Sequence, residues 1–165
     1  MRNKTYRNTI FLVYFVVAAM WAGACHSHKP IQYSSEALPP SEWVPERSVE
    51  GALVFRHEDP PMGIMVNTEC DRYQTVPLTP LSRTLFIGFE NRKEISRGTD
   101  KVDGHDAAVV VMQCTLEGTP LKVKAYTFKA NECIYDIAYF ATPDHFDDGL
   151  STFEEYVRGF KAEKK

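Results

Sequence analysis

The chain has 165 residues, of which 44% are hydrophobic and 25% charged, and its formal net charge at pH 7 is −3. This length and composition predict one globular domain with a real hydrophobic core. An acidic chain has no general attraction to nucleic acid or anionic lipid headgroups, so we exclude nucleic-acid binding.

The first 24 residues have the three parts of a secretory signal peptide. Arg2, Lys4 and Arg7 give a positively charged start, and residues 10–20 form an unbroken apolar run. This run is short for a permanent membrane span, which needs about 20 apolar residues. Residues 1–24 are therefore predicted to be a signal peptide that is removed.

The segment Ala22-Gly23-Ala24-Cys25 ends the apolar run and resembles the lipobox of bacterial lipoproteins. In that family the cysteine becomes the first residue and carries the lipid, so the resemblance implies acylation of Cys25 and stable attachment to membrane lipid. His26 replaces the Asp that commonly retains lipoproteins at the inner membrane. The resemblance therefore implies the periplasmic face of the outer membrane. The alternative is an ordinary cleavage site with Cys25 an incidental thiol.

Cleavage before Cys25 would remove three of the 19 basic residues and none of the 22 acidic ones, which leaves a formal charge of −6. Residues 25–50 are predicted to be the lipidated cysteine and a flexible tether, because they contain four prolines and no regular apolar period. We predict a single domain over residues 51–162 and a frayed tail over residues 163–165.

Three further cysteines follow Cys25: Cys70, Cys114 and Cys133. The periplasm is oxidising, which favours one disulfide and leaves one thiol over. Cys114 lies within an apolar run, which predicts a buried free thiol. Cys70 and Cys133 lie at the edges of predicted strands, so we predict that they form the disulfide, worth about 3–4 kcal/mol. The alternative is three reduced thiols.

The domain is predicted to open with a hairpin and a helix. Strand-like runs at residues 52–56 and 64–70 flank a turn-forming segment at residues 58–63. Apolar residues then recur at helical spacing, at Leu78, Leu81, Leu85 and Phe89. Residues 91–101 are polar and ambiguous, with a short edge strand at residues 94–97 as one interpretation.

A meander and a closing helix complete the predicted domain. Its strands are predicted at residues 107–117, 121–129 and 133–141, and the short turns between them can join antiparallel strands only. Ser151 and Glu154 have the pattern of a capping box. The following apolar stripe consists of Phe153, Tyr156, Val157 and Phe160. The sequence therefore predicts an α+β domain, an antiparallel sheet of a hairpin and a three- to four-stranded meander, with helices packed on it.

This element order over residues 51–160, with a terminal helix ending in Gly159-Phe160, resembles the PsbP-like and DcrB-like domains. The segments Val102-Asp103-Gly104, Cys133–Asp136 and Val157–Phe160 resemble small uncharacterised bacterial lipoproteins. Neither resemblance implies a catalytic residue. PsbP-like domains mostly act as accessory or assembly factors, so the first resemblance implies a binding role.

The sequence contains none of the familiar catalytic or phosphate-binding motifs, and we predict no catalytic residue, no metal site and no cofactor. Asp100, Asp103 and Asp106 do not have the spacing of an EF-hand calcium loop. They predict a polar hairpin turn with Asp103-Gly104 at its tip.

Two residues of the predicted sheet, Asp136 and Phe128, are candidates for a role beyond packing in the core. Asp136 shares a face with Ile134 and Ala138 in a strand that should be buried, so its carboxyl group needs a hydrogen bond, a cation or a proton. We favour a structural role, in which Asp136 pairs with an Arg or with the backbone of a turn, over a role as an acid in a binding pocket. Phe128 lies beside Tyr126 on the lysine-bearing face and is a candidate for an exposed contact patch.

We expect a lipid-anchored, non-enzymatic accessory or binding domain for an envelope component, with an envelope protein of unknown identity as its partner. The alternative is a domain that binds a small apolar ligand or lipid in a groove between sheet and helix. A thiol- or His-dependent enzyme, for example one using Cys70 with His57, has the least support because no local signature accompanies the pair.

Overall fold

The computed structural model describes residues 34–35, 40, 42–47, 52–70 and 74–162. The predicted signal peptide, Cys25, much of the predicted tether and the predicted frayed tail lie outside the described residues. Neither helix in the described part of the chain has the length and apolar character that a membrane crossing requires.

Within the described residues, strands dominate the fold. The strands are β1 (Ser34–Ser35), β2 (Val44–Arg47), β3 (Leu53–His57), β4 (Met62–Cys70), β5 (Glu90–Val102), β6 (His105–Leu116), β7 (Thr119–Ala130), β8 (Cys133–Ala141) and β9 (Phe160–Lys161). The helices are α1 (Leu78–Thr84) and α2 (Leu150–Gly159), with a 3-10 turn at Pro143–His145. Seven strands form one antiparallel sheet in the order β2-β3-β4-β8-β7-β6-β5, and β1 pairs with β9.

Strands β5 to β8 form a meander joined by three two-residue turns. Both central residues of each turn have positive φ: Asp103 (49°) and Gly104 (79°), Glu117 (49°) and Gly118 (81°), Asn131 (51°) and Glu132 (63°). Turns with this backbone twist match the twist of paired antiparallel strands, so they fix the register of the meander. The predicted turn at Asp103-Gly104 is confirmed.

The predicted antiparallel sheet with helices packed on it is confirmed, but the sheet is larger than predicted. Strand β5 has 13 residues instead of the four at 94–97. Its bulges, between Glu90 and Lys93 and between Glu94 and Ser96, interrupt the alternation of side chains. Because β5 is also an edge strand with mostly exposed side chains, no apolar period marks it in the sequence.

The folded part of the chain also includes residues that we predicted to be tether. Strand β2 pairs with β3 at the other edge of the sheet, where Pro45 is tolerated because an edge strand leaves half of its backbone groups unpaired. Trp43, just before β2, is only 6% exposed. The predicted domain boundary at residue 51 is therefore too late.

The closing helix begins without the predicted capping box. Gly149 is its N-cap residue, and no side chain caps the helix. A β-carbon at Gly149 would lie 2.8 Å from the Tyr139 hydroxyl oxygen, so the site has no room for a capping side chain. Ser151 lies inside the helix, and Glu154 accepts a 2.6 Å hydrogen bond from the Lys124 ammonium group instead.

The two faces of the seven-stranded sheet differ. On the face that packs against α2, here called the aromatic face, large rings fill the core: Phe55, Tyr126, Phe128, Tyr135, Tyr139, Phe153, Tyr156 and Phe160. The opposite face, here called the groove face, carries a smaller cluster that includes Val110, Met112, Val123, Ala125 and Ala138. Helix α1 packs on this face against β6 and β7.

The expectation that Phe128 marks an exposed patch is wrong. Its ring is fully buried and stacks on Tyr135 with centroids 5.1 Å apart. The side of β7 that carries Lys122 and Lys124 is the aromatic face, and these two lysines lie nearer the start of the strand than Phe128. There Lys124 meets Glu154 of α2, and the Lys122 ammonium group lies 4.2 Å from the centre of the Phe146 ring.

Candidate functional site

An open cavity of about 830 Å³ lies on the groove face, between the sheet and the segment that follows α1. We call it the groove. Its floor is formed by Val123, Ala125, Ala138 and Phe140, and one wall by Leu85, Phe86 and Phe89. The volume lies within the range of pockets that hold small molecules. The groove is the candidate functional site.

The groove exists because its floor residues are small and its cover is short. Ala125 and Ala138 lie directly opposite each other on β7 and β8, so their methyl groups leave space above the sheet. The seven-residue helix α1 packs on β6 and β7, and within the described residues no helix covers β3, β4 or β8 on this side. The floor of the groove therefore stays open.

A glycine shapes the far side of the groove. The ring of Phe140 occupies the space above Gly63, its direct partner on β4, and a β-carbon at Gly63 would overlap this ring. Met65, also on β4, lines the groove with a flexible side chain that adapts to ligands of different shape. These residues give the floor an apolar and adaptable character.

Charged groups in the groove lining lie at its rim. Arg56, Glu58 and Glu117 are exposed, and Arg56 donates a 3.2 Å hydrogen bond to Glu46. His57 donates from Nδ1 to the carbonyl oxygen of Pro60 at 2.9 Å. In the part of the chain that the structure describes, no three His, Cys, Asp or Glu side chains are placed to hold a metal ion. The groove thus combines an apolar floor with charged groups at its rim.

Asp136 lies on the groove face, two residues along β8 from Ala138, but it is not part of the groove lining. Burial raises the pKa of its carboxyl group to about 6; the hydrogen bond from Thr127 lowers the pKa, and the nearby charge of Glu69 raises it further. The Thr127 hydroxyl donates to the Asp136 carboxylate at 2.7 Å. Its structural partner is therefore a buried hydroxyl group rather than the Arg or backbone turn that we expected.

The predicted disulfide between Cys70 and Cys133 is present and joins directly opposite residues of β4 and β8. Cys70 therefore has no thiol with which to act as a nucleophile. His57 pairs with Met62 at the other end of β4, about 27 Å away at about 3.4 Å per residue. The hypothesis of a Cys70–His57 catalytic pair is wrong. Cys114 is free and buried, and burial raises the pKa of its thiol.

The Asp103 carboxylate of the β5–β6 turn binds the segment that follows α2. It accepts hydrogen bonds from the Lys161 ammonium group at 3.2 Å and from the Ala162 backbone N–H at 3.1 Å. Asp106 pairs with Lys101 at 2.8 Å. These contacts give Asp103 and Asp106 structural roles in this hairpin.

Sequence reasoning predicted a groove between sheet and helix as one alternative, but it did not identify the residues that line it. The available signal was the pair of small residues Ala125 and Ala138 at matching positions of adjacent strands. Leu85 and Phe89 were predicted to continue the helical stripe, but α1 ends at Thr84 and the chain then forms turns. These two residues therefore form a wall rather than a helix face.

No protein-family model and no curated protein matches this chain. Solved structures with the same fold include the cyanobacterial PsbP protein CyanoP from Synechocystis, with 14% identity, a TM-score of 0.57 and coverage of 86% of this chain and 98% of that one. LpqN from Mycobacterium tuberculosis, which is involved in cell envelope biogenesis, has 9% identity, a TM-score of 0.61 and coverage of 82% and 86%.

A third similar structure is PA94 from Pseudomonas aeruginosa, a protein of unknown function. It has 12% identity and a TM-score of 0.58, and the match covers 82% of this chain and 100% of that one. At these identities the similarity shows a shared fold alone. The resemblance to PsbP-like domains is confirmed at that level.

Proposed function

We propose that this chain is a bacterial lipoprotein, anchored by an acylated Cys25 at the periplasmic face of the outer membrane. Its folded domain acts as a non-enzymatic accessory or binding domain for an envelope component, a protein engaged in transport or assembly. The observation that carries the binding role is the open apolar groove of about 830 Å³. Apolar surface left open in this way is typical of a binding site.

Two further observations support this proposal. The first 25 residues have the charge, apolar run and small-residue ending of a lipoprotein signal. The fold is shared with LpqN, which is involved in envelope biogenesis, and with the PsbP protein CyanoP. Among the described residues, the titratable groups near the groove are a rim of exposed charges and a largely buried His57, which hydrogen-bonds to the backbone.

The volume and lining of the groove also favour a second candidate function, binding of a small apolar molecule or lipid. The floor residues Ala125, Ala138 and Phe140 present hydrocarbon, and the charged groups lie at the rim. A ligand with an apolar body and a polar end would match this distribution. The two candidates use the same groove and differ in its occupant.

The anchor is tested by the intact mass of protein extracted from membranes. Cleavage before Cys25 with a diacylglycerol and an N-acyl chain gives the mass expected for a lipoprotein. A Cys25→Ser variant serves as the control, since it has no thiol to acylate. An unlipidated mature mass would contradict the anchor and leave the groove as the basis for function.

The binding role is tested by placing a photo-crosslinking amino acid at Leu121, which is partly buried in the groove lining. The matched control position is Ile95, an exposed apolar residue on the edge strand β5. Crosslinking in cells should give a discrete protein adduct at Leu121 and none at Ile95. A small-molecule mass adduct would favour the second candidate function. Indistinguishable adduct patterns at the two positions would contradict both.

A further inference from the structure

The floor of the groove is a sheet face that is wide enough for a helix. Residues of the four neighbouring strands β3, β4, β8 and β7 form it. Three spacings of about 4.8 Å between these strands make the floor about 14 Å wide. An α-helix with its side chains is about 10–12 Å across. All four strands have a partner on each side, so a binding partner cannot extend the sheet here and is recognised through side chains.

The floor offers a continuous apolar surface to such a helix. One residue of each strand lies directly opposite the next in a row across the sheet, which consists of Val54, Met65, Ala138 and Ala125. Val44 of the edge strand β2 is 56% exposed and extends this surface beyond β3. The two alanines leave a depression between larger neighbours. Apolar side chains spaced three and four residues apart on a helix would fill it.

One end of the groove, at the connection between β3 and β4, is acidic. Among the described residues, its exposed carboxylate groups are those of Glu42, Glu46, Glu58 and Asp59. Glu58 lines the groove, and Glu42 lies 3.7 Å from Nε2 of His57, which also lines it. Glu46 pairs with Arg56, the guanidinium group of this end. With His57 neutral, four negative charges and one positive charge leave a formal balance of −3.

On the other side of the groove, by α1, the charges nearly balance. The guanidinium groups there are those of Arg83, Arg92 and Arg97, and the carboxylate groups are those of Glu94 and Glu117. Strand register places four further charged residues on the aromatic face: Glu90, Lys93, Lys122 and Lys124. The excess of negative charge around the groove therefore belongs to its β3–β4 end.

We propose that the groove binds an amphipathic helix of the envelope protein partner, with apolar side chains over Ala125 and Ala138 and basic side chains beside Glu42 and Glu58. This inference rests on the proposed function and adds the chemistry of the partner. Charge complementarity selects a helix with a basic flank and fixes which of its sides faces the β3–β4 end. The bound helix covers the groove face as α2 covers the aromatic face.

The test places the photo-crosslinking amino acid at Leu121 of the full-length protein in cells and sequences the crosslinked segment by mass spectrometry. We expect a segment with apolar residues three and four apart and a positive net charge. Glu42→Lys combined with Glu58→Lys should lower the adduct yield by about tenfold, because attractive contacts become repulsive. The matched control, Asp100→Lys combined with Glu155→Lys, makes the same charge change at exposed carboxylates outside the groove lining and should leave the yield nearly unchanged.

A crosslinked segment that is neutral or acidic, or that lacks the apolar spacing, would overturn this inference. Equal losses of yield in the two charge variants would also overturn it, as would an adduct with a lipid or with a second copy of this chain. Urea unfolding of both variants verifies that a lower yield reflects binding rather than folding. Adduct patterns that do not differ between Leu121 and Ile95 would instead contradict the proposed function itself, so the two failures are distinguishable.

Discussion

The two faces of the sheet show how one domain separates stability from binding. The aromatic face is closed by the ten-residue helix α2, and its rings contact one another in a continuous series from Phe55 to Phe160. The groove face is covered in part by the seven-residue helix α1, and its floor is made of small residues such as Ala125 and Ala138. Side chain size and helix length thus decide which face is core and which is site.

The buried Tyr139 hydroxyl group on the aromatic face has hydrogen-bond partners, whereas the Thr68 hydroxyl group on the same face has none among the described residues. The Tyr139 hydroxyl donates to the Phe146 carbonyl oxygen at 3.0 Å, and burial raises the pKa of Tyr139 to about 12. Its ring stacks on Phe153 with centroids 5.5 Å apart. A buried hydroxyl group with a partner fixes the position of its ring and costs little. This face therefore contributes most of the packing energy of the domain.

Removing a ring from each face gives the largest expected contrast. Phe153→Ala should lower the free energy of unfolding by about 3–5 kcal/mol, because Phe153 is fully buried between Tyr126 and Tyr139. Phe89→Ala should cost about 1–2 kcal/mol, because Phe89 is partly exposed at the groove wall. Urea unfolding of the two variants measures the difference. Equal losses would contradict the division of roles between the faces.

The disulfide should give the next largest effect. Cys133 belongs to the aromatic core and Cys70 packs against it, so the bond ties β4 to β8 on that face. Replacing both by Ser should lower the free energy of unfolding by about 2–4 kcal/mol, since the bond closes a long loop in the unfolded chain. Cys114→Ala, a free thiol on the groove face, is the control and should cost about 1 kcal/mol. A larger loss in the control would contradict this comparison.

The sequence predicted the aromatic face better than the groove face. Strand alternation, short turns and the stripe from Phe153 to Phe160 locate the core, because burying large apolar side chains is a strong and periodic signal. The Cys70–Cys133 disulfide followed from placing both at strand edges. The edge strands β2 and β5 were missed or shortened, since a strand with one open side needs no apolar period.

The sequence predicted a groove as one alternative, but it did not predict which residues line that groove. A cavity arises from what neighbouring elements leave unfilled, which depends on where α1 ends and how β7 and β8 align. Gly63 illustrates the difficulty, because its role is to leave space for the Phe140 ring on the adjacent strand. Nothing local to either residue indicates that contact.

Adding a methyl group at Gly63 tests that contact. The new β-carbon would overlap the Phe140 ring, so Gly63→Ala should lower the free energy of unfolding by about 1–3 kcal/mol and force the ring to move. Gly98→Ala is the matched control, because nothing lies within 4 Å of a β-carbon there and β5 favours a residue with a side chain. The control should be neutral or stabilising by about 0.5 kcal/mol. Equal stability of both variants would show that the Phe140 ring can be accommodated without a glycine at position 63.

The smallest effect concerns the polar end of the groove face and depends on pH. Burial raises the pKa of Asp136 to about 6 in the folded protein, above its value of about 3.9 in an unfolded chain. The folded state thus holds the proton more tightly, and the stability from this group is full below about pH 4 and lost as pH rises through about 6. Asp136→Asn keeps an acceptor for Thr127 and cannot ionise.

This variant should therefore be more stable than the wild type by about 1–2 kcal/mol at pH 7.5, and the two should converge near pH 4. Urea unfolding across this pH range measures the difference. Asp106→Asn is the opposite control, because pairing with Lys101 lowers the pKa of Asp106 and its contribution is lost as pH falls. A pH-independent gain for Asp136→Asn would mean that the hydrogen bond with Thr127, and not the buried charge, sets the stability of this part of the groove face.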